Sequence, residues 1–161
     1  MINVYLRFVL NAETVEASVR PNMTLLELLR YNFKLTGTKK GCNTGDCGAC
    51  TVLLDGKPVN SCMVLVPKVN GRNVMTVEGL GKPDNLRPLQ EAFIEHKALQ
   101  CGYCTPGMLL SAKALLNENA SPSKDDVRRA IAGNLCRCTG YASIISAVLD
   151  AAEKTRSSKR L

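Results

Sequence analysis

The sequence has few aromatic side chains, a single histidine and no long apolar run. Aromatic residues make up only 4% of the chain, which leaves few rings on which nucleic-acid bases could stack. The net charge of +7 is spread along the chain and forms no basic block, so no nucleic-acid partner is expected. No stretch reaches the roughly 18 apolar residues of a membrane span. The N-terminal residues alternate between apolar and polar, unlike a signal peptide, and we expect a cytoplasmic protein.

Motifs for nucleotide binding and hydrolysis are also missing. The chain has no G-x-x-x-x-G-K-[ST] or G-x-G-x-x-G loop, no H-E-x-x-H helix and no G-x-S-x-G nucleophile elbow. The lone histidine, His96, is predicted to be a solvated surface residue without a catalytic role. We therefore expect no substrate chemistry on this chain, and any two-electron oxidation must occur on a cofactor held elsewhere.

Cysteine, in contrast, is plentiful and unevenly distributed. The eight cysteines fall into two groups of four: Cys42, Cys47, Cys50 and Cys62, then Cys101, Cys104, Cys136 and Cys138. An even number could form a disulfide framework in a secreted chain. Without an export signal, dense cysteine more often binds metal, since the cytosol keeps thiols reduced. Two groups of four predict two metal sites.

The first cysteine group has the spacing C-x4-C-x2-C-x11-C. Its front portion matches the loop that holds a [2Fe–2S] cluster in plant-type ferredoxins. The neighbouring Gly41, Gly45 and Gly48 would let the backbone approach a cluster closely and turn N–H groups toward its sulfurs. A zinc ribbon would show two C-x2-C knuckles, and this group has one. The pattern favours iron–sulfur over zinc.

The second group has the spacing C-x2-C-x31-C-x-C, which is not that of a plant-type ferredoxin. On spacing alone, zinc is a real competitor at this site. The tight C-x-C pair is compatible with two thiolates on one iron. The residues by themselves leave the metal of the second site open.

Hydrophobic periodicity changes near residue 80 and predicts an α+β protein of two domains. Residues 3–10 and 14–19 alternate as the strands of a hairpin, a capping box of Thr24 and Glu27 begins a short helix, and 51–54, 59–66 and 73–77 read as strands. Beyond residue 83 the apolar residues recur with helical spacing and predict four helices. With Gly79–Asn85 as the linker, we place the domains at 1–79 and 80–161.

The predicted helices would gather the second cysteine group. If they run up and down with short connections, Cys101 and Cys104 lie between the first two helices, and Cys136 and Cys138 follow the third. All four thiols would then meet at one end of the bundle. This convergence supports a single second site.

Three segments carry a family resemblance: GCNTGDCGACTVLLDGKPVNSC, LQCGYCTPGML and GNLCRCTGY. In this order and with these separations, they resemble the small iron–sulfur subunit of the xanthine oxidase family of molybdenum hydroxylases. The resemblance extends over nearly the whole chain. It implies an N-terminal β-grasp (plant-type ferredoxin-like) domain followed by a C-terminal four-helix bundle, each with one [2Fe–2S] cluster.

The resemblance also implies roles for single residues. The first cysteine group, Cys42, Cys47, Cys50 and Cys62, would ligate a distal cluster, and Cys101, Cys104, Cys136 and Cys138 a proximal one. Gln100 matches the glutamine that contacts the pterin cofactor, and Cys138 matches the ligand nearest to that pterin. The implied partners are a large subunit with a molybdopterin-type molybdenum cofactor and a medium FAD-binding subunit. The expected function is electron transfer in this hetero-oligomer, between the molybdopterin site and a flavin or other acceptor.

Two alternatives come from other functional classes. A free-standing two-cluster ferredoxin-like carrier would be a monomer with an exposed second cluster. A zinc-stabilised adaptor would be colourless. The subunit hypothesis predicts instead an apolar or cofactor-shaped surface around residues 100–107 and large chains that copurify with this one.

Overall fold

The computed structural model describes residues 2–81 and 84–158. Within them the fold is α+β: a five-stranded sheet with one short helix is followed by four longer helices. The strands are β1 (Val4–Leu10), β2 (Glu13–Val19), β3 (Thr51–Leu54), β4 (Lys57–Asn60) and β5 (Asn73–Met75). Their order in the sheet is β2-β1-β5-β3-β4. The β1–β5 pair is parallel, and the other neighbours are antiparallel.

The predicted N-terminal hairpin is confirmed. Strands β1 and β2 pair from Val4 opposite Val19 to Leu10 opposite Glu13. The alternation of β1 buries Leu6, Phe8 and Leu10 on one face, because successive side chains of a strand point to opposite sides. This face forms half of the first apolar core.

The short helix α1 (Leu25–Glu27) covers that face and continues as a π-helical turn, Leu28–Asn32. Its predicted capping box is present: the Thr24 hydroxyl accepts from the Glu27 N–H at 3.2 Å, and the Glu27 carboxylate accepts from the Thr24 N–H at 2.9 Å. The reciprocal bonds satisfy two N–H groups that a helix start leaves unpaired. Leu25, Leu28 and Leu29 pack into the core beneath.

The strand predicted over 59–66 is wrong beyond Asn60. There the chain leaves the sheet in a 3₁₀ turn, Ser61–Met63. The Ser61 N–H and hydroxyl both donate to the Cys50 carbonyl, at 3.2 and 2.7 Å. These bonds turn the backbone so that Cys62 comes to lie beside Cys50, which apolar periodicity alone cannot reveal.

The four predicted helices are α2 (Pro88–Glu95), α3 (Thr105–Glu118), α4 (Lys124–Ile131) and α5 (Ala142–Ser158). They enclose a second core that includes the fully buried Phe93, Met108 and Val148. Helix α4 begins after Ser123, whose hydroxyl caps it by accepting from the Asp126 N–H at 3.2 Å. None of the helices in residues 2–81 and 84–158 is long and apolar enough to cross a membrane.

The sheet and the helices share an apolar contact. Leu53 of β3 packs against Leu110 and Ala114 of α3, and all three are buried. The predicted linker Gly79–Asn85 contains Lys82 and Pro83, which lie outside the described residues. The contact of β3 with α3 brings the start of α3, and with it Cys104, toward the first cysteine loop.

Candidate metal centres

The first cysteine loop turns backbone N–H groups toward sulfur. The Cys47 and Thr44 N–H groups both point at the Cys42 Sγ from 3.4 Å, and the Cys42 N–H points at the Cys47 Sγ from 3.3 Å. Hydrogen bonds from Thr44 and Cys47 lower the pKa of the Cys42 thiol to about 5. Such donors stabilise a thiolate, which is the form that binds metal.

Cys50 and Cys62 form a second thiol pair in the same site. Both are buried, and their thiols are in hydrogen-bond contact. Burial, followed by the neighbouring Cys50, raises the pKa of the Cys62 thiol to about 11. A buried thiol of this kind ionises only with a compensating positive charge beside it, and a metal supplies one.

Gly41 provides the close approach that the sequence pattern predicted. A Cβ at this position would lie 2.6 Å from the Cys47 Sγ, inside the van der Waals contact distance. The loop is also tied to the sheet, because the Asn60 side chain donates to the Gly45 carbonyl at 2.6 Å. The absence of a side chain at Gly41 thus leaves space for the Cys47 Sγ and for a metal bound to it.

The second cysteine group converges as predicted. The Cys101 and Cys138 Sγ atoms are 3.6 Å apart, and the Cys104 and Cys136 thiols are in contact. Burial, followed by the Cys136 contact, raises the pKa of the Cys104 thiol to about 12. Residues 37 positions apart in sequence therefore form one site where α2, α3 and α5 approach each other.

The eight thiols are arranged in four pairs, two in each site. In residues 2–81 and 84–158, no three His, Cys, Asp or Glu side chains surround one point as a single metal ion would require. A [2Fe–2S] cluster contains two irons and takes four thiolates in all, two on each iron. The residues present fit such a cluster at each site.

Asn134 joins the two cysteine sites, and sequence reasoning missed it. It is only 3% exposed. Its amide donates to the Gly48 carbonyl at 2.9 Å and to the Thr51 hydroxyl at 3.1 Å, and it accepts from the Ser111 hydroxyl at 2.7 Å. Next to it, the Leu135 N–H donates to the Cys47 carbonyl at 2.9 Å. The cysteine loops of both sites are thus bonded directly to each other.

We predict that Asn134→Ala lowers the free energy of unfolding by about 1–3 kcal/mol, the usual cost of leaving buried polar partners unpaired. Urea unfolding followed by circular dichroism measures the change. The matched control is Asn117→Ala, since Asn117 is exposed on α3 and exposed substitutions stay within about 0.5 kcal/mol. Equal stability of the two variants would contradict a structural role for the Asn134 contacts.

Gln100, the one predicted site residue that is not a cysteine, lies on the surface near the second group. Gln100 is exposed, and its amide donates to the Cys138 carbonyl at 3.2 Å. Tyr103, between Cys101 and Cys104, donates its hydroxyl proton to the Lys40 carbonyl at 2.6 Å, which adds a further bond between the two sites. His96, predicted to be a solvated surface residue, is half-buried and lies 3.1 Å from the Asp150 carboxylate on α5.

Comparison with known proteins decides the family. Residues 8–73 match the family model of a 2Fe-2S iron-sulfur cluster binding domain, and residues 76–149 that of a [2Fe-2S] binding domain. The chain is 47% identical to the nicotinate dehydrogenase small FeS subunit of Eubacterium barkeri, over 90% of this chain and 92% of that one. The chain belongs to the small iron–sulfur subunits of the xanthine oxidase family of molybdenum hydroxylases.

Other proteins similar to this iron–sulfur subunit support the same family membership. It is 52% identical to the nicotine 6-hydroxylase small subunit of Paenarthrobacter nicotinovorans, over 88% of this chain and 85% of that one. Quinoline 2-oxidoreductase of Pseudomonas putida 86 superposes with a TM-score of 0.92 at 45% identity, over 98% of both chains. The aldehyde oxidoreductase of Desulfovibrio desulfuricans gives 0.93 at 47% identity, but there the match is 17% of a longer chain.

The family fixes what spacing left open. The iron–sulfur subunit carries two [2Fe–2S] clusters, one in each matched domain, so the domain that contains the second cysteine group is also an iron–sulfur domain. It is the electron-transfer subunit of an oxidoreductase and works in a hetero-oligomer with larger partners. The family and function predicted from the three cysteine segments are confirmed.

Proposed function

We propose that the four thiol pairs are the ligands of the two clusters. Cys42, Cys47, Cys50 and Cys62 hold the distal cluster, and Cys101, Cys104, Cys136 and Cys138 the proximal one. The observation that carries this assignment is the pairwise arrangement of the thiols at both sites. When bound, each cluster accepts and releases one electron at a time.

We further propose that residues 1–79 form a β-grasp, ferredoxin-like domain and residues 80–161 a four-helix bundle. The two apolar cores support this division: one lies between the sheet and α1, the other among α2 to α5. We also propose a cytoplasmic location, because cysteine at this density that binds metal is typical of a compartment that keeps thiols reduced.

The proximal site is proposed to face the molybdopterin cofactor of the large subunit. Gln100 and Cys138 are both exposed, and the Gln100 amide is held beside Cys138 by its bond to the Cys138 carbonyl. Leu99, Tyr103 and Leu135 add exposed apolar surface nearby, with Leu135 60% exposed. A surface of this kind favours burial against a partner.

The distal site is proposed to face a medium FAD-binding subunit. Cys42 is exposed, and Met63, which packs against Gly45 in the same loop, is 62% exposed. The Leu135–Cys47 backbone bond links this loop to the proximal one. The chain's own residues thus hold both sites close together, as a relay between two partners requires.

A free-standing two-cluster carrier is the second candidate, and the exposure of Cys101 and Cys138 favours it. Affinity purification of the tagged chain from its own cells separates the two. Stoichiometric copurification of a molybdenum-containing chain and a flavin-containing chain supports the subunit, and a cluster-bearing monomer supports the carrier.

The ligand assignment is tested on the same material. We expect about four irons per chain and two distinct electron paramagnetic resonance signals after reduction with dithionite. Zinc in place of that iron would contradict the proposal, and so would two irons with a single signal.

A further inference from the structure

Thr139 makes a contact that ligand spacing does not explain. Its hydroxyl lies 3.2 Å from the Cys136 Sγ, and its N–H donates to the same sulfur at 3.5 Å. The Tyr141 N–H donates to the Thr139 hydroxyl at 3.3 Å. One sulfur of the second site is therefore bonded by both polar groups of a neighbouring residue.

The chemistry of the ligand fixes the direction of the hydroxyl bond. A cysteine that binds iron is a thiolate and has no proton to give. The Thr139 oxygen already accepts from Tyr141, so its own proton is free to point at sulfur. The result is a directed chain, from the Tyr141 N–H through the Thr139 hydroxyl to the Cys136 Sγ.

The surrounding turn holds this chain in place. The Tyr141 hydroxyl accepts from the Cys136 N–H at 2.8 Å and donates to the Asn134 carbonyl at 3.3 Å. Cys136, Thr139 and Tyr141 are each half-buried. The Thr139 hydroxyl therefore meets the sulfur in a fixed geometry and with reduced competition from water.

We propose that Thr139 is a positioning residue that raises the reduction potential of the cluster held by Cys136. Reduction adds negative charge, so a donor to a ligand sulfur stabilises the reduced cluster more than the oxidised one. The proposal rests on the assignment of Cys136 as a ligand. It gives the proximal cluster a greater tendency to take up an electron than its ligands alone would give.

The test is a redox titration of the assembled complex, followed by electron paramagnetic resonance. Thr139→Val is expected to lower the equilibrium constant for reduction of the proximal cluster about tenfold, equal to about 59 mV for one electron. The distal cluster in the same molecule should keep its potential. Thr139→Ser retains the hydroxyl and should keep the wild-type potential.

Thr105→Val is the matched control. Thr105 directly follows Cys104 and is half-buried at the start of α3, and among the described residues its hydroxyl has no hydrogen bond to sulfur. The same change beside a ligand of the same cluster should leave both potentials unchanged. If Thr139→Val hinders assembly, Thr139→Ala removes the hydroxyl without that bulk and is judged in the same way.

An unchanged proximal potential in Thr139→Val or Thr139→Ala would overturn the proposal. So would an equal shift in Thr139→Ser, which would indicate a packing effect, or a parallel shift of both clusters. The ligand assignment is checked separately with Cys136→Ser. Because a serine oxygen bound to iron would alter the signal, two signals of unchanged shape there would show that Cys136 is not a ligand. Loss or alteration of one signal leaves the Thr139 result to be judged by itself.

Discussion

Cys104→Ser is expected to remove one of the two cluster signals and to reduce the iron content from about four to about two per chain. Cys104 is one of the pair that also contains Cys136, and it is half-buried against the apolar core of the helices. Serine lacks the soft thiolate that iron prefers at these sites. Metal analysis and electron paramagnetic resonance of the purified complex measure both effects.

The functional consequence distinguishes the two sites. Because the second site is proposed to face the molybdenum subunit, its loss should disconnect substrate from every later acceptor. Cys47→Ser is the matched variant at the first site: it should remove the other signal, while substrate still reduces the proximal cluster. Stopped-flow spectroscopy with a substrate of the complex follows the remaining cluster in each variant.

Two results would contradict these expectations. If Cys47→Ser removed both signals, the two parts would depend on each other as a single folding unit, against the proposed boundary near residue 80. If Cys104→Ser left substrate reduction of the distal cluster intact, the order of the two sites would be reversed. Each result is visible in the same set of spectra.

Local patterns in the sequence predicted much of this structure. The alternation of β1 and the capping box of Thr24 and Glu27 depend on residues close together in the chain, and both are present. The cysteine spacings predicted the loops for a similar reason, since three of the four cysteines in the first group lie within nine residues. Structure that depends on residues close together in the chain can therefore be predicted from the sequence.

Long-range bonds account for what was missed. Asn134 bonds to Gly48 across 86 positions, and nothing near Asn134 in sequence indicates that partner. The wrong strand prediction over 59–66 has the same origin. Ser61 lies outside the sheet because it bonds to the Cys50 carbonyl eleven residues away. In both cases the apolar pattern is ordinary, and a polar bond to a cysteine loop determines the backbone.

Thr139 and Tyr141 are an intermediate case. Both follow Cys138 closely in the segment GNLCRCTGY, so their nearness to a cluster was predictable. Their bonds to the Cys136 Sγ and N–H were not predictable, and neither was the positive φ of 67° at Tyr141. A tyrosine rarely adopts that conformation, and the side-chain bonds of the turn stabilise it.

Gly48→Ala is expected to disrupt the junction between the two cysteine loops. Gly48 has a φ of +69°, and a Cβ there would lie 2.2 Å from the Gly133 carbonyl oxygen and 2.7 Å from the Asn134 amide. Gly133 is backbone and cannot rotate away, so the loops must separate. We expect the free energy of unfolding to fall by about 2–5 kcal/mol, the sum of about 1–2 for the left-handed backbone and about 1–3 for the broken Asn134 bonds.

Gly71→Ala is the matched control, which separates the cost of the Gly48 contact with the second loop from the cost of backbone strain. Gly71 has nearly the same φ, +73°, but a Cβ there meets nothing within 4 Å. The free energy of unfolding should fall only by the backbone contribution, about 1–2 kcal/mol.

The stability of the two variants is compared through the urea midpoint for loss of cluster absorbance. The magnetic interaction between the reduced clusters reports on the distance between them. Of these two glycines, Gly48 touches the second cysteine loop and Gly71 does not. The magnetic interaction should therefore weaken in Gly48→Ala and persist in Gly71→Ala. The same magnetic interaction in both variants would mean that the junction does not set the distance between the sites.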